Sequence, residues 1–299
     1  MNATVKLLEL VLPATVSLQV EVPEEHPSAA ILGTTRLASG VIIDPDGLVL
    51  TVNYAVLGAS RIEVALLDDR TLPGRLVAHD FASGLAVVAV SGEQLPARGT
   101  VAVSTLHAGQ EVFIVAAIGE NRRRTASGSI FSLGAFDAYW EYALDPAITS
   151  TASNPGLGGA PLFDAYGRVA GIVSLDLAEV GRLTLAIPTD PFSEHREELL
   201  RHGHRVTRPP RAWIGLYCYT MQERVVIAGV LPGAPGDEAG LRPGDVVLEI
   251  DGQPITDRRA LYARLWTRRP GDAVEFRVYR NNQVRQVTVP SGNAEEFFA

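Results

Sequence analysis

Cysteine is almost absent from the sequence, because Cys218 is the only one among 299 residues. A disulfide within the chain is therefore excluded, which fits a reducing compartment and fits equally an exported bacterial protein without disulfides. Cys218 lies among apolar and aromatic residues in LYCYTM. We therefore expect a small buried hydrophobic residue and not a reactive thiol.

Long apolar runs are also missing. No stretch approaches the roughly 20 residues that a membrane-spanning helix needs, so we expect no membrane span. The N-terminal MNATVKLLELVLPATVSLQV has a single lysine and an apolar stretch broken at Pro13, which makes a poor signal peptide. The sequence as given predicts a cytoplasmic location, or a periplasmic or otherwise exported one if a signal has been removed, and it leaves the compartment open.

Positive charge is in deficit, since 26 Lys and Arg face 34 Asp and Glu for a formal net charge of −8. Phosphate binding needs a basic surface, so a nucleic-acid partner is not expected. The histidines are scattered along the chain, at His26, His79, His107, His195, His202 and His204. Because metal sites need clustered ligands, we expect no metal, and nothing in the sequence indicates another cofactor.

What the sequence does contain is apolar material for a core, at 46% hydrophobic residues, arranged in many short strand patterns. Between residues 14 and about 190, segments rich in Val and Ile such as GVIIDPDGLVLTV and QEVFIVAAI alternate with turn residues. DPDG at residues 44–47 and DAYG at residues 164–167 are turns. The pattern predicts a mainly β fold of barrel or sandwich type.

The pattern changes near residue 190. DPFSEHREELLRH predicts a helix with Ser193 as its N-cap, which ends at Gly203. We assign residues 1–200 to the first domain. Residues 201–211, a basic stretch that ends in two prolines and an arginine, form the linker.

The last block is a compact α+β module at residues 212–290, in which strand patterns surround the helix DRRALYARLWTR. Thr256 or Asp257 caps that helix. Residues 291–299 form a C-terminal tail. We expect this tail to be disordered, with docking of its EEFFA end into a peptide groove as the alternative.

This C-terminal block carries a specific motif. WIGL at residues 213–216, followed by VLPGAPGDEAGLRPGDVVLEIDGQPIT, strongly resembles a PDZ domain of the bacterial HtrA/Deg kind. Free backbone N–H groups in a loop beside a strand can capture a peptide carboxylate, and the strand edge accepts the peptide as an added strand. The predicted peptide-binding residues are Trp213, Ile214, Gly215, Leu216, Leu261 and Leu265. Alternatively, these residues only fold the module and its groove is filled internally.

The first block resembles the rest of an HtrA/Deg protein. The matching segments run from about Val11 to Pro188 and include ASGVIIDPDGLVLT, LAVVAV, NPGLGGAPLFDAYGRVAGIVS and LAIPTD. The resemblance implies a trypsin-like double β-barrel followed by a PDZ domain with a partly open barrel and helices. It also implies serine endopeptidase ancestry.

The same resemblance locates the three positions of the catalytic triad, and none of them holds the residue type that the family has there. Tyr54 stands for the histidine in TVNY, Gly84 for the aspartate in DFASGLAVV, and Gly158 for the serine in NPGLGGAPL. A glycine has no nucleophile, a phenol is a weak base at neutral pH, and a second glycine cannot orient an imidazolium. The sequence therefore predicts no catalytic residues at these degenerate positions.

We thus expect a pseudoprotease that is not an enzyme. It would bind peptides, protein C-termini or hydrophobic segments through its PDZ domain and act as a scaffold, a chaperone-like protein or a regulator. One alternative is an active HtrA-type endopeptidase with a relocated triad. Another is a regulatory subunit of an active homologue, since family members usually form trimers through their N-terminal segments. Homotrimers and mixed oligomers both stay open.

Overall fold

A computed structural model describes residues 3–177 and 181–299, and the chain divides into two compact units. The N-terminal unit comprises Met1–Ala135 and Asp145–Val206, and the C-terminal unit comprises Phe136–Leu144 and Thr207–Ala299. The C-terminal unit therefore contains a short piece of chain that lies, in sequence, between two parts of the N-terminal unit. We call Phe136–Leu144 the inserted segment.

The first part of the N-terminal unit is a closed barrel with the strand order β1-β2-β3-β6-β5-β4. Its strands are β1 Thr15–Glu21, β2 Thr35–Asp44, β3 Leu48–Val52, β4 Arg61–Ala65, β5 Thr71–Asp80 and β6 Leu85–Val90. Apolar side chains of these strands fill the interior, and Leu18, Ile42 and Leu50 are fully buried. Closure leaves no unpaired strand edge, which suits strands this short.

The second barrel has the order β10-β11-β12-β9-β8-β7. Its strands are β7 Glu111–Ala117, β8 Arg123–Asp137, β9 Ala143–Ser150, β10 Pro161–Asp164, β11 Val169–Leu177 and β12 Leu183–Pro188. Its core includes Ile114, Ile148 and Leu162. The predicted turns are present, because Gly47 N donates to Asp44 O and Gly167 N donates to Asp164 O, both at 2.9 Å.

The C-terminal unit contains a sheet in the order β13-β14-β15-β17-β18, with β16 paired to β15. The strands are β13 Leu216–Met221, β14 Arg224–Val230, β15 Val246–Ile250, β16 Gln253–Pro254, β17 Ala273–Arg280 and β18 Gln283–Pro290. This sheet and the helices around it enclose a separate core, in which Cys218 is fully buried as expected.

The helices are short. In the described part of the chain they are α1 Ala3–Val11, α2 Ala29–Leu32, α3 Asn53–Val56, α4 Asp190–His202, α5 Pro235–Glu238, α6 Arg258–Leu265 and α7 Ala294–Phe297, with a 3₁₀ turn at Val103–Thr105. Within residues 3–177 and 181–299, no helix has both the length and the apolar character needed to cross a membrane.

The predicted mainly β fold is confirmed, with corrections at the helices. Helix α4 begins at Asp190 after Thr189, three residues before the predicted cap, and the Ser193 hydroxyl donates to Thr189 O instead. At helix α6 the structure agrees with one of the two predicted caps, because the Asp257 carboxylate accepts from Ala260 N. The tail is not disordered, because Asn293 caps α7.

Candidate functional site

Tyr54 and Gly158 adjoin each other in the N-terminal unit. Helix α3 carries Tyr54 directly after β3, and its Oη donates to Ser174 O at 2.8 Å. A Cβ built on Gly158 would lie 2.3 Å from this Oη, far inside van der Waals contact. The phenol therefore fills the space that the side chain of a nucleophile at position 158 would need.

Burial, and after it the charge of Asp176, raises the pKa of Tyr54 to about 12. At neutral pH the phenol stays protonated and acts as a donor. Its hydrogen bond to a backbone carbonyl uses that proton. Tyr54, which the resemblance places at the histidine position, is consequently unable to accept a proton from a nucleophile.

Gly84 is joined to this pair only indirectly, through the backbone of the residue that precedes Tyr54. Asn53 N, next to Tyr54, donates to Gly84 O at 2.7 Å, and Gly84 N donates to Asp80 O at 2.7 Å. Gly84 has φ of +80°, which favours glycine at the end of this turn. The Asp80 carboxylate accepts from Ser83 Oγ at 2.7 Å, so the remaining acid of this stretch holds the turn. Tyr54 and Gly158 are thus neighbours, Gly84 is joined to the residue before Tyr54, and neither glycine carries a side chain.

The loop before β10 is held by hydrogen bonds from the backbone and the hydroxyl of Ser39 in β2. Ser39 N donates to Gly158 O at 2.7 Å, and Ser39 Oγ donates to Leu157 O at 3.0 Å. In the trypsin-like fold that the sequence resembles, the oxyanion hole uses the N–H of the nucleophile residue and of the residue two before it. Here the second of these, Gly156 N, donates to Asn154 Oδ1 at 3.3 Å. One of the two donors is thus already engaged within the loop.

A serine–histidine contact does exist elsewhere, between His26 Nδ1 and Ser28 Oγ at 2.8 Å. Ser28 is only 1% exposed, and its hydroxyl donates to Leu57 O while it accepts from Arg36 Nη2. Ser28 N also donates to His26 Nδ1 at 3.1 Å. This is a buried local turn in which a substrate carbonyl has no access to the hydroxyl.

His79 does not form a substitute triad with Asp80. Its Nδ1 contacts Asn53 Oδ1, whereas the Asp80 carboxylate faces Ser83. Burial, and after it the nearby His26, lowers the pKa of His79 to about 4, so its imidazole is neutral at physiological pH.

In the C-terminal unit, most of the predicted carboxylate-binding loop converges on one carboxylate. Glu141 Oε1 accepts from Gly215 N at 2.7 Å, from Leu216 N at 2.9 Å and from Ile214 N at 3.2 Å. Gly215 has φ of +85°, which turns successive N–H groups toward one point in an anion-binding nest. The loop therefore binds a carboxylate in this structure, and that carboxylate belongs to the chain itself.

The other predicted peptide-binding residues have different surroundings. Trp213 N donates to Gly292 O at 3.0 Å, and its ring packs against Phe297 and Phe298 of the tail. Leu261 and Leu265 are completely buried in the core of the C-terminal unit. Trp213 is thus turned toward the C-terminus of the chain and not toward the Glu141 carboxylate.

Sequence reasoning missed Glu141 altogether. The signal was a single carboxylate within the aromatic run AYWEYAL, which has little reason to carry a charge unless the charge is bound. Its partners lie more than 70 residues away in sequence, at 214–216.

Comparisons with known proteins match both halves of the chain. A family model for the trypsin-like peptidase domain matches residues 38–172, and a model for the PDZ domain matches residues 203–290. A "Probable periplasmic serine endoprotease DegP-like" of Halomonas elongata is 32% identical over 275 residues, which cover 86% of this chain and 56% of that protein. The chain thus spans little more than half the length of this relative.

Two further likenesses agree with these matches. The "Putative serine protease HhoA" of a Synechocystis strain is 31% identical over 245 residues, which cover 73% of this chain and 61% of that protein. A solved structure, "HtrA-type protease AlgW with decapeptide", has a TM-score of 0.57 and 26% identity, and the match covers 98% of this chain and 99% of that one.

Proposed function

The chain belongs to the HtrA family, and we propose that it is a pseudoprotease, a member that has lost peptide hydrolysis and acts by binding peptides through its PDZ domain. Its natural ligands in this proposal are protein C-termini or exposed hydrophobic segments. Its role is that of a scaffold, a chaperone-like protein or a regulator in an exported compartment, as the periplasmic naming of its relatives suggests.

The observation that carries the loss of hydrolysis is the contact between Tyr54 and Gly158. Oη of Tyr54 lies 2.3 Å from where a side chain at position 158 would begin. Removal of single triad members already lowers the rate by orders of magnitude. Here the nucleophile, the base and the acid are all absent from their positions, and Gly156 N, one of the oxyanion donors, is engaged with Asn154.

Peptide binding is supported by the carboxylate-binding loop. N–H groups of Ile214, Gly215 and Leu216 already hold a carboxylate, which is the chemistry that a peptide C-terminus presents. The related AlgW structures were solved with a decapeptide and with a tripeptide. The strand edge of β13 and the helix α6 supply the usual walls of a groove for such a ligand.

The test is an assay for hydrolysis on the purified full chain. We expect no turnover of casein above the buffer rate and no labelling by a serine-directed fluorophosphonate probe. Ser28→Ala is the matched variant, since Ser28 contacts a histidine, and it should behave as the wild type does. Turnover by the wild type that Ser28→Ala or another single serine substitution abolishes would contradict the loss of activity.

A further inference from the structure

We propose that the inserted segment is an intramolecular ligand of the PDZ groove, with Glu141 in place of a peptide C-terminus, so that an outside C-terminus binds only by displacing it. This inference rests on the proposed peptide-binding function and adds its regulation. It also predicts the sequence of the ligand that would compete.

The first argument is the main-chain register between the inserted segment and β13. Trp140 forms an antiparallel bridge with Tyr217, and Cys218 N donates to Tyr139 O at 2.5 Å. Glu141 therefore lies opposite Leu216, whose own N–H donates to its carboxylate. The segment continues the sheet as an added strand, in the way a PDZ domain takes a peptide.

The second argument is that the Glu141 side chain ends in a carboxylate, which is the group that a peptide C-terminus carries. A peptide C-terminus delivers its carboxylate from the last main-chain atom, whereas Glu141 delivers one from its side chain and the chain continues. Tyr142 N donates to Trp140 O, and Ala138 N donates to Tyr142 O at 2.9 Å, so the segment turns back directly after Glu141. The tight turn lets an internal residue occupy a site for chain ends.

The third argument is that helix α6 contacts the inserted segment from the side opposite to β13. Tyr262 Oη donates to Ala138 O at 2.9 Å, and Arg258 Nε donates to Asp137 Oδ2 at 2.9 Å. The Arg258 guanidinium also lies 4.7 Å from the ring centroid of Tyr139. The segment is thus held along its length by β13 on one side and α6 on the other.

These contacts define the class of competing ligand. Counting back from the position of Glu141, Tyr139 is two residues before the end and Asp137 is four residues before it. The structure thus favours C-terminal peptides with an aromatic residue two positions, and an acidic residue four positions, before the terminal carboxylate. An intramolecular competitor acts at an effective concentration that dilution does not lower, so it raises the peptide concentration needed for binding.

The binding experiment uses a fluorescein-labelled peptide FDAYWV with a free C-terminal carboxylate, measured by fluorescence anisotropy against the full chain. We expect Glu141→Ala to bind it at least tenfold more tightly than the wild type, because the side-chain oxygens that occupy the loop are gone. The amidated peptide should bind poorly to both, and FRAYWV should bind more weakly than FDAYWV to Glu141→Ala. Glu223→Ala, an exposed substitution in the same unit, is the matched control and should equal the wild type.

A second measurement tests, without any added peptide, whether the inserted segment protects the loop that it contacts. Hydrogen–deuterium exchange of residues 214–218 should be slow in the wild type and at least tenfold faster in Glu141→Ala, with no change in Glu223→Ala. Asp137→Asn, which loosens the end held by Arg258, should give a smaller change in the same direction and serves if Glu141→Ala folds poorly.

The outcomes separate the two proposals. Equal exchange in the wild type and in both variants would overturn the intramolecular ligand, whatever the peptides do. Equal affinity of the wild type and Glu141→Ala for FDAYWV would overturn it too, while leaving peptide binding in place. Faster exchange without binding of any free-carboxylate peptide would support the internal ligand and contradict the proposed function.

Discussion

At the scale of the residue, one phenol oxygen decides what position 158 can hold. Tyr54 Oη would lie 2.3 Å from a new Cβ there, but the adjoining ring carbon Cζ would lie 3.5 Å away, at ordinary contact distance. The conflict is therefore with the hydroxyl alone. Removing the hydroxyl should remove most of the conflict, although it also removes the bond to Ser174 O.

We therefore predict that Gly158→Ala lowers the free energy of unfolding by about 1–3 kcal/mol in the wild type, as overpacking of a filled site does. In the Tyr54→Phe background the same substitution should cost clearly less. Urea denaturation of the wild type, both single variants and the double variant measures this coupling. Gly99→Ala, where a new Cβ meets no atom within 4 Å, is the control. Additive effects of the two substitutions would count against the steric conflict.

At the scale of the element, the inserted segment carries a carboxylate whose titration is shifted. Burial raises the pKa of Glu141 to about 7, and the backbone N–H groups of Leu216, Ile214 and Gly215 oppose this shift. Burial, and after it the Glu141 charge, raises the pKa of Cys218 to about 12, so that thiol stays neutral. Tyr262 interacts electrostatically with both Cys218 and Glu141, as well as with Arg258 and Asp137.

The sign of the pH effect follows from this shift. The folded state holds the Glu141 proton more tightly than the unfolded chain, where a glutamate titrates near 4.3. The associated stability is full below that value and is lost as the pH rises through about 7. We predict that the wild type loses stability between pH 5 and pH 8 relative to Glu141→Gln, as measured by thermal denaturation at several pH values. Parallel pH profiles for the two proteins would contradict the shift.

The sequence predicts features that depend on neighbouring residues, but it does not predict features that depend on contacts between distant parts of the chain. The strands, the turns at Asp44 and Asp164 and the Asp257 cap follow from local patterns, and the structure has them. The contact of Glu141 with residues 214–216 depends on a fold that brings distant chain together, and no local pattern encodes it. Helix α4 begins after Thr189 and not after Ser193. Candidate helix starts that lie a few residues apart are therefore distinguished only by contacts of the folded chain.

At the scale of the whole molecule, the three predicted triad positions lie beside separate strands of two barrels. Tyr54 follows β3 and Gly84 precedes β6 in the first barrel, whereas Gly158 precedes β10 of the second. The resemblance in sequence predicted which residues hold these positions. It did not predict that the Tyr54 side chain would fill the space beside Gly158, since that depends on the direction of one side chain.

We predict that a serine at position 158 does not by itself restore a nucleophile. Gly158→Ser should show no fluorophosphonate labelling, because Tyr54 blocks the hydroxyl and no base is present. The triple variant Tyr54→His, Gly84→Asp, Gly158→Ser should gain slow labelling. Its turnover of casein should stay orders of magnitude below that of an active relative, because Gly84 has a backbone that disfavours other residues and Gly156 N is engaged. Labelling of the single variant would contradict this account.

The contact between Tyr54 and Gly158 couples the two positions whenever a nucleophile is to be installed. A serine introduced first at position 158 meets the phenol, and removal of the phenol first abandons its bond to Ser174 O without any gain in catalysis. Neither substitution is favourable alone, so the two positions are epistatic. Under the proposed loss of hydrolysis, a nucleophile would therefore be hard to regain through single substitutions.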